Sequence, residues 1–242
     1  MSPHMVNCTH PILPADIWYT MIYMQTIVQK YRRYFREKIF VRSLVLAFLF
    51  LVASLMISFY ANVYAIEHAS NAVADIFLSN VRAFDVDGLF AYGGVIFWII
   101  IIFFGLIEPR RFPFALKSIA LFVLIRSIFI SLTHIGPFPV QIISEDPSYI
   151  IRKAVLGADL FFSGHTGLPF LMALVFWKTF PIRVFCIVSA IFFGAVALLG
   201  HFHYSIDVLA AFFITYTIFH LASIFFKKDH ILFDRGVSEE WH

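Results

Sequence analysis

Six long apolar runs, nearly free of charged residues, are the feature that most constrains how this 242-residue chain can fold. A bilayer core about 30 Å thick is crossed by roughly 20 apolar residues in a helix, and lipid offers an unpaired backbone no hydrogen bonds. Apolar residues form 61% of the sequence and charged residues 14%, whereas a soluble domain is typically about a quarter charged. We therefore predict an all-α polytopic membrane protein, a bundle of six transmembrane helices. The predicted spans are Ser43–Ile66, Gly88–Ile107, Ser118–Ile135, Phe161–Trp177, Val184–Gly200 and Val208–Phe226.

The distribution of lysine and arginine predicts the orientation of these spans. Fourteen of the 18 lie in the terminal segments and in the second and fourth connections, whereas the alternate connections carry only Arg82, Arg152 and Lys153. Because cytoplasmic connections carry the excess of basic residues, both termini are predicted to lie in the cytoplasm. The connection that contains residues 201–207 is then predicted to face outward.

Three regions are predicted along the chain: an N-terminal cytoplasmic or interfacial segment (1–40), a six-helix catalytic membrane domain (41–228) and a cytoplasmic tail (229–242). Within the first, Asp16–Arg36 is aromatic first and basic later, which is typical of a helix lying on the inner leaflet. The alternative for its second half is a cytoplasmic extension of the first span. The net charge of +3 does not favour a nucleic-acid partner, and the two distant cysteines exclude a disulfide framework.

Two short polar segments interrupt the apolar sequence, SGHTG at residues 163–167 and HFHYSID at residues 201–207. The predicted topology places both at the outer ends of spans. A carboxylate within a span is unfavourable by roughly 2.5–3.5 kcal/mol, and Asp207 directly precedes the sixth predicted span, so a partner or a function is expected for it. Its spacing from His203 predicts that both lie on one helix face, where the carboxylate holds one ring nitrogen and leaves the other as a base or nucleophile. His165, His203 and Asp207 are therefore the predicted catalytic residues.

A phosphate site is predicted at the start of the fourth span. Ser163 is a typical N-cap, and the free N–H groups that follow it from Gly164, with the positive end of the helix dipole, favour an anion. Arg126 is the one full charge within a predicted span and has two interpretations. It contacts the substrate phosphate, or it snorkels or pairs structurally with Asp159 or Asp207.

The polar segments also resemble a known family. SGHT, followed by HYSID and then V-x3-FFIT, is similar to the third and fourth conserved motifs of the sphingomyelin synthases and their relatives, within the type 2 phosphatidic acid phosphatase superfamily. Asp159 matches the aspartate of the family's C-G-D-x3-S-G-H-T, where this chain reads GAD. RSIFISLTHIGPFP, from Arg126, is a weaker match to the family's arginine-bearing third span. The family's first motif has only a faint counterpart in FDVDG at residues 84–88.

This resemblance implies a double displacement at the outer face of the membrane. His203 attacks phosphorus, Asp207 orients it, and His165 protonates the leaving diacylglycerol oxygen and later deprotonates the acceptor. The substrates implied are lipids: a glycerophospholipid supplies phosphocholine or phosphoethanolamine through a phosphohistidine, and ceramide, another lipid or water accepts it. Asp159 and Tyr204 are expected to contact the headgroup. Neither a metal nor another cofactor is expected.

This chain differs from the phosphatase branch of the superfamily in two motifs, and both differences suggest a substrate phosphate with less negative charge. That branch carries K-x6-R-P and an arginine six residues before the nucleophilic histidine, whereas this chain has no Arg-Pro and has Ala197 at the latter position. Fewer cations favour a phosphodiester over a dianionic monoester. The alternatives are a lipid phosphatase acting on phosphatidate or an isoprenoid pyrophosphate and, from another class, a membrane transporter. The expected location is a bacterial inner membrane with a periplasmic site, or else the Golgi or plasma membrane with a lumenal or exoplasmic site.

Overall fold

The computed structural model describes residues 27–139 and 161–236, and these residues form helices with no strand among them. Residues 27–36 are helical and belong to the second half of the predicted interfacial helix Asp16–Arg36, whose first part lies outside the described residues. The helices that follow are α1 Lys38–Glu67, α2 Asp87–Ile107, α3 Phe112–Leu132, α4 Gly164–Val175, α5 Phe180–Leu199, α6 Ser205–Phe225 and α7 Lys227–Arg235. A short 3-10 turn, Pro109–Arg111, joins α2 to α3.

Helix α4 forms the core of the bundle. It packs against α5, α6 and α3, and its residues Leu171, Met172 and Ala173 are at most 1% exposed. Apart from its first residues, α4 is apolar on every side, and a helix of that kind is stable where all its faces are covered. The neighbouring helices therefore surround α4 and hold it in a fixed place.

Five helices of the described chain are long and apolar enough to cross a membrane: α1, α2, α3 with its preceding turn, α5 and α6. These agree with a multi-pass membrane protein. Helix α4 has only 12 residues, about 18 Å at 1.5 Å per residue, which is shorter than a bilayer core. The predicted fourth span, Phe161–Trp177, is therefore a shorter central helix. A sixth crossing and the side of the termini remain predictions.

Two glycines allow three helices to approach closely near the polar segments. A Cβ on Gly167 of α4 would lie 2.7 Å from the Phe122 ring of α3 and 2.9 Å from Thr215 Oγ1 of α6. A Cβ on Gly194 of α5 would lie 3.0 Å from Val208 Cγ1 of α6. Larger side chains at these positions would push the helices apart. The close packing brings the N-termini of α4 and α6 side by side.

Helices α1 and α2 are peripheral. Helix α1 packs along α3, α2 contacts mainly α5, and α1 and α2 do not pack along each other. Large apolar side chains on both helices are exposed, including Phe59 at 61% and Phe103 at 64%. Acyl chains of a bilayer would cover such a surface at no cost in hydration. This side of the bundle therefore faces lipid.

Ion pairs hold the other end of the bundle, the predicted cytoplasmic side. Lys117 of α3 lies 2.6 Å from Asp229 of α7. Lys178, in the turn between α4 and α5, lies 2.7 Å from Asp234 of α7. Helix α7 begins two residues before the tail predicted at 229–242, and these contacts fasten it beneath α3 and α4.

We expect the loop at residues 68–86 to lie on the outer face of the membrane and α7 on the inner face. Ile76 is 84% exposed in that loop, and Lys227 is exposed at the start of α7. In a Cys8→Ser background, in which Cys186 stays buried, an impermeant maleimide should label Ile76→Cys in intact cells. It should label Lys227→Cys only after permeabilisation. Equal labelling of both from outside would contradict the predicted orientation.

Candidate active site

Two helix N-termini meet on one side of the bundle, and each carries one of the polar segments. Helix α4 begins at Gly164 within SGHTG, and α6 begins at Ser205 within HFHYSID. The amide of Ser163 donates to the Asp207 carbonyl oxygen at 3.1 Å. The structure therefore brings the two segments into direct backbone contact.

The N-terminus of α4 has the features of an anion site. Ser163 is its N-cap, as predicted, and its Oγ accepts the Thr166 amide at 3.4 Å, while the Gly167 amide donates to the Ser163 carbonyl oxygen at 2.8 Å. The amides of Gly164 and His165 precede the helical hydrogen bonds and have no acceptor within the helix. These amides and the positive end of the helix dipole favour the binding of an anion.

Arg126 of α3 adds a cation at the same place. Its Nε donates to the Phe162 carbonyl oxygen at 3.0 Å, and a Cβ on Gly164 would lie 3.5 Å from that Nε. The residue is only 8% exposed, so it lies within the bundle beside α4 and does not snorkel to the surface. Asp159, one partner considered for it from the sequence, lies outside the described residues.

His203 and Asp207 are adjacent, but not on the shared helix face that their spacing predicted. Helix α6 begins at Ser205, so His203 lies in the preceding turn and only Asp207 is helical. His203 Nδ1 is 3.5 Å from Asp207 Oδ2, and the same oxygen accepts the Tyr204 amide at 3.1 Å. Asp207 therefore closes the turn and faces Nδ1 of the imidazole, which leaves Nε2 as the nitrogen for chemistry.

Aromatic packing holds His165 in place. Its ring stacks on Phe90 with centroids 3.8 Å apart and meets Phe193 nearly edge-on at 6.0 Å. Gly94 of α2 lies against the ring, since a Cβ there would be 3.3 Å from His165 Nε2. These contacts fix the orientation of the imidazole at the wall of a cavity that it shares with His203.

That cavity has a volume of about 650 Å³, which is within the range of small-molecule sites. Arg126 and Gly164 also line it, and most of the remaining wall is apolar, with contributions from α1, α2, α3 and α4. A chamber of this kind suits a ligand with a phosphate at one end and hydrocarbon at the other. Across residues 27–139 and 161–236, no three His, Cys, Asp or Glu side chains lie close enough together to bind a metal ion.

The segment that carries this geometry has a counterpart among known protein families. The family model PAP2 superfamily C-terminal matches residues 157–224, a range that includes His165, His203 and Asp207. This match supports membership of the type 2 phosphatidic acid phosphatase superfamily. Superfamily members are generally phosphatases or phosphotransferases, so the match also supports an enzyme that acts on lipid phosphates. No curated protein and no solved structure matches the chain.

Within the segment matched to the superfamily, Tyr204 and His201 connect the turn that carries His203 to the loops that follow α1 and α3. Tyr204 is 1% exposed, and its hydroxyl donates to the Gly136 carbonyl oxygen at 2.7 Å and accepts the Val73 amide at 3.3 Å. These contacts hold the Tyr204 hydroxyl against the two loops, and the substrate contact expected for Tyr204 stays a prediction. His201 Nε2 lies 3.1 Å from the Val81 carbonyl oxygen. Neither residue is part of the wall of the cavity described above.

Asp75 is a residue of this region that the sequence analysis missed. It lies in the loop between α1 and α2, is 7% exposed, and accepts hydrogen bonds from the amide and the hydroxyl of Ser205 at 2.8 and 2.7 Å. One feature of the sequence could have indicated that α6 needs an acceptor from elsewhere in the chain. Tyr204 stands at the N-cap of α6, where Ser, Thr, Asp or Asn usually supplies the acceptor.

Proposed function

We propose that this protein is a phospholipid headgroup phosphotransferase of the sphingomyelin synthase type, acting at the outer face of a bacterial inner membrane. The observation that carries the proposal is one cavity shared by His165, His203, Arg126 and the start of α4. Two histidines supply a nucleophile and an acid–base group, and the cation with the helix N-terminus supplies phosphate binding. The superfamily match supports the coarser statement, activity on lipid phosphates.

In the first half-reaction, His203 Nε2 attacks the phosphorus of a glycerophospholipid. The P–N bond forms while the bond from phosphorus to the diacylglycerol oxygen breaks, and protonated His165 gives its proton to that oxygen. Asp207, whose Oδ2 lies 3.5 Å from His203 Nδ1, orients the ring and stabilises the positive charge that it acquires. The amides at the start of α4 and the Arg126 guanidinium stabilise the charge that develops on the phosphate oxygens.

In the second half-reaction, His165 takes the proton of the acceptor hydroxyl, and the acceptor oxygen attacks phosphorus. A P–O bond forms while the P–N bond breaks, which returns His203 to its neutral form and leaves His165 protonated for the next cycle. The acceptor is ceramide, another lipid or water. With water, the two steps together amount to a phospholipase C reaction.

The lining of the cavity supports a lipid as the substrate. Leu55 of α1 and Trp98 and Ile102 of α2 contribute to its wall, and these two helices do not pack along each other. Acyl chains reach the site from the bilayer between α1 and α2 in this proposal. The headgroup phosphate then lies at the N-terminus of α4, beside Arg126.

Phosphodiester lipids are expected to react faster than phosphatidate. Ala197, where the phosphatase branch carries an arginine, is fully buried in an apolar cluster with Phe90 and Phe202, and Arg126 is the one Lys or Arg among the residues lining the described cavity. One guanidinium balances the single charge of a phosphodiester better than the two charges of a monoester. Purified protein should release or transfer headgroup from labelled phosphatidylcholine or phosphatidylethanolamine, with and without ceramide, faster than phosphate from phosphatidate.

A preference for phosphate monoesters over phosphodiesters would favour the second candidate function, a lipid phosphate phosphatase. The superfamily match favours that activity as much as headgroup transfer, since the family includes both reaction types. Faster release of phosphate from phosphatidate or an isoprenoid pyrophosphate would overturn the phosphodiester assignment. A product that forms only with ceramide would identify a transferase, and the His203→Ala protein measures contaminating activity in each assay. If none of the lipids tested is turned over, the proposal that this protein is an enzyme acting on lipid phosphates is contradicted.

A further inference from the structure

The N-cap residue of α6 supplies no side-chain acceptor for the Ser205 amide. Tyr204 is the N-cap residue, and tyrosine has no short side-chain oxygen that reaches the amides of the following turn. Its hydroxyl is engaged with Gly136 and Val73 in the outer loops. Ser205, the first helical residue, therefore presents an amide whose partner has to come from outside the helix.

Asp75 supplies that partner from the loop between α1 and α2. Its Oδ2 accepts the amide of Ser205 at 2.8 Å and the hydroxyl of the same residue at 2.7 Å. Its Oδ1 accepts the amides of Phe77 at 2.9 Å and Leu78 at 3.0 Å. One oxygen of the carboxylate is thus bound to its own loop, and the other holds the start of α6.

The same contacts keep the Asp75 carboxylate ionised. Burial raises the pKa of Asp75, but the hydrogen bonds from Leu78, Ser205 and Phe77 outweigh burial and bring that pKa below its usual value. Asp75 and Asp207 together place two carboxylates at the positive end of α6, whereas the first turn of α4 contains no acidic residue. The N-terminus of α4, and not that of α6, is therefore the helix end suited to a substrate phosphate.

Ser205 lies midway between the two groups of the proposed nucleophilic pair. His203 precedes it by two residues and Asp207 follows it by two, so a displacement of Ser205 changes the 3.5 Å separation of His203 Nδ1 and Asp207 Oδ2. The outer loop also contacts the turn where the Val81 carbonyl oxygen meets His201. The loop is thus a support for the turn that carries His203.

We propose that Asp75 is a positioning residue for His203. By capping α6 from the outer loop, it holds the His203 imidazole against Asp207 and directs Nε2 into the cavity. The inference rests on the proposed function, because it assigns Asp75 a part in the attack by His203. Asp75 is not part of the wall of the described cavity, so it acts through Ser205 and touches no reacting atom.

Four variants of the full chain, purified in detergent or lipid nanodiscs, test this proposal. Asp75→Ala removes all four hydrogen bonds, and Asp75→Asn keeps the shape but turns an NH2 group toward donors. Ser205→Ala removes only the hydroxyl contact. Glu67→Gln is the matched control, because it removes one exposed carboxylate at the end of α1 next to the same loop without touching α6.

We expect both Asp75 variants to lower kcat by about 10- to 100-fold with little change in KM, since a misplacement of about 1 Å at a nucleophile has effects of this size. Ser205→Ala should show a smaller loss, and Glu67→Gln none. Two readouts need no substrate. The rate at which diethylpyrocarbonate modifies His203, followed by mass spectrometry, should rise severalfold in the Asp75 variants. Hydrogen exchange should rise in residues 201–208 but not in α3.

A purely structural role predicts a different pattern, in which thermal stability falls while kcat per folded molecule and His203 reactivity stay as in the wild type. That pattern, or no change in any readout, would overturn the proposal. If the wild type turns over none of the lipids, the proposed function fails, and the reactivity and exchange measurements still decide whether Asp75 holds His203. If Asp75→Ala does not fold, Asp75→Asn and Ser205→Ala provide the graded comparison.

Discussion

His203→Ala is expected to abolish both turnover and the phosphohistidine intermediate while leaving the protein folded. The imidazole forms the bond to phosphorus in the proposed reaction, and removing the nucleophile of a covalent mechanism lowers kcat by about 10⁶-fold in a well-studied case. His203 lies in the turn before α6 and at the wall of the cavity, so its removal leaves the helix packing in place. Acid-labile label on the protein, measured after mixing with headgroup-labelled phosphatidylcholine, reports the intermediate. Circular dichroism reports the fold.

His220→Ala is the matched control for that variant. His220 lies on α6, the helix that follows the His203 turn, is exposed, and has Nδ1 2.8 Å from the Tyr216 carbonyl oxygen, so its loss should leave activity unchanged. A substrate with an activated leaving group separates the two site histidines. It should restore formation of the phosphohistidine in His165→Ala, because a good leaving group needs no proton, and it should not do so in His203→Ala. Near-normal activity of His203→Ala would mean that the nucleophile and the acid are wrongly assigned. The same conclusion would follow if the activated substrate rescued His203→Ala better than His165→Ala.

Asp207→Asn is expected to lower kcat by several orders of magnitude, about 10⁴-fold by analogy with catalytic triads. Asp207 is fully buried, and its Oδ2 both faces His203 Nδ1 and accepts the Tyr204 amide. An asparagine whose amide oxygen occupies the Oδ2 position keeps both contacts. The variant therefore isolates the loss of the negative charge, which stabilises the imidazolium in surroundings where solvent screens little.

The stability of the Asp207 variants is measured alongside their kcat. Loss of a carboxylate from the first turn of a helix usually lowers stability by about 0.3–1 kcal/mol, so Asp207→Asn should remain folded at assay temperature. Asp207→Ala also loses the hydrogen bond to the Tyr204 amide and should be less stable. A folded Asp207→Asn enzyme with near-normal kcat would contradict the role assigned to the charge.

The apolar pattern predicted most of the helices well. The predicted spans Ser43–Ile66 and Val208–Phe226 correspond to α1, Lys38–Glu67, and α6, Ser205–Phe225. The fourth differs, because α4 covers only Gly164–Val175 of the predicted Phe161–Trp177. Hydropathy measures how apolar a segment is, and a helix buried by protein is as apolar as one covered by lipid. Only the packing of α4 against α3, α5 and α6 separates the two cases.

The sequence by itself determined that the chain belongs in a membrane and that two polar segments lie at helix ends, because burial and charge act on each segment separately. The tertiary structure decided how the site is held together. It placed His203 in a turn and not on a helix face, turned the Tyr204 hydroxyl toward Gly136 and Val73, and brought in Asp75. The acceptor for the Ser205 amide lies 130 positions earlier in the chain. A hydrogen bond needs only a partner within about 3 Å in space, and no local pattern specifies where along the sequence that partner comes from.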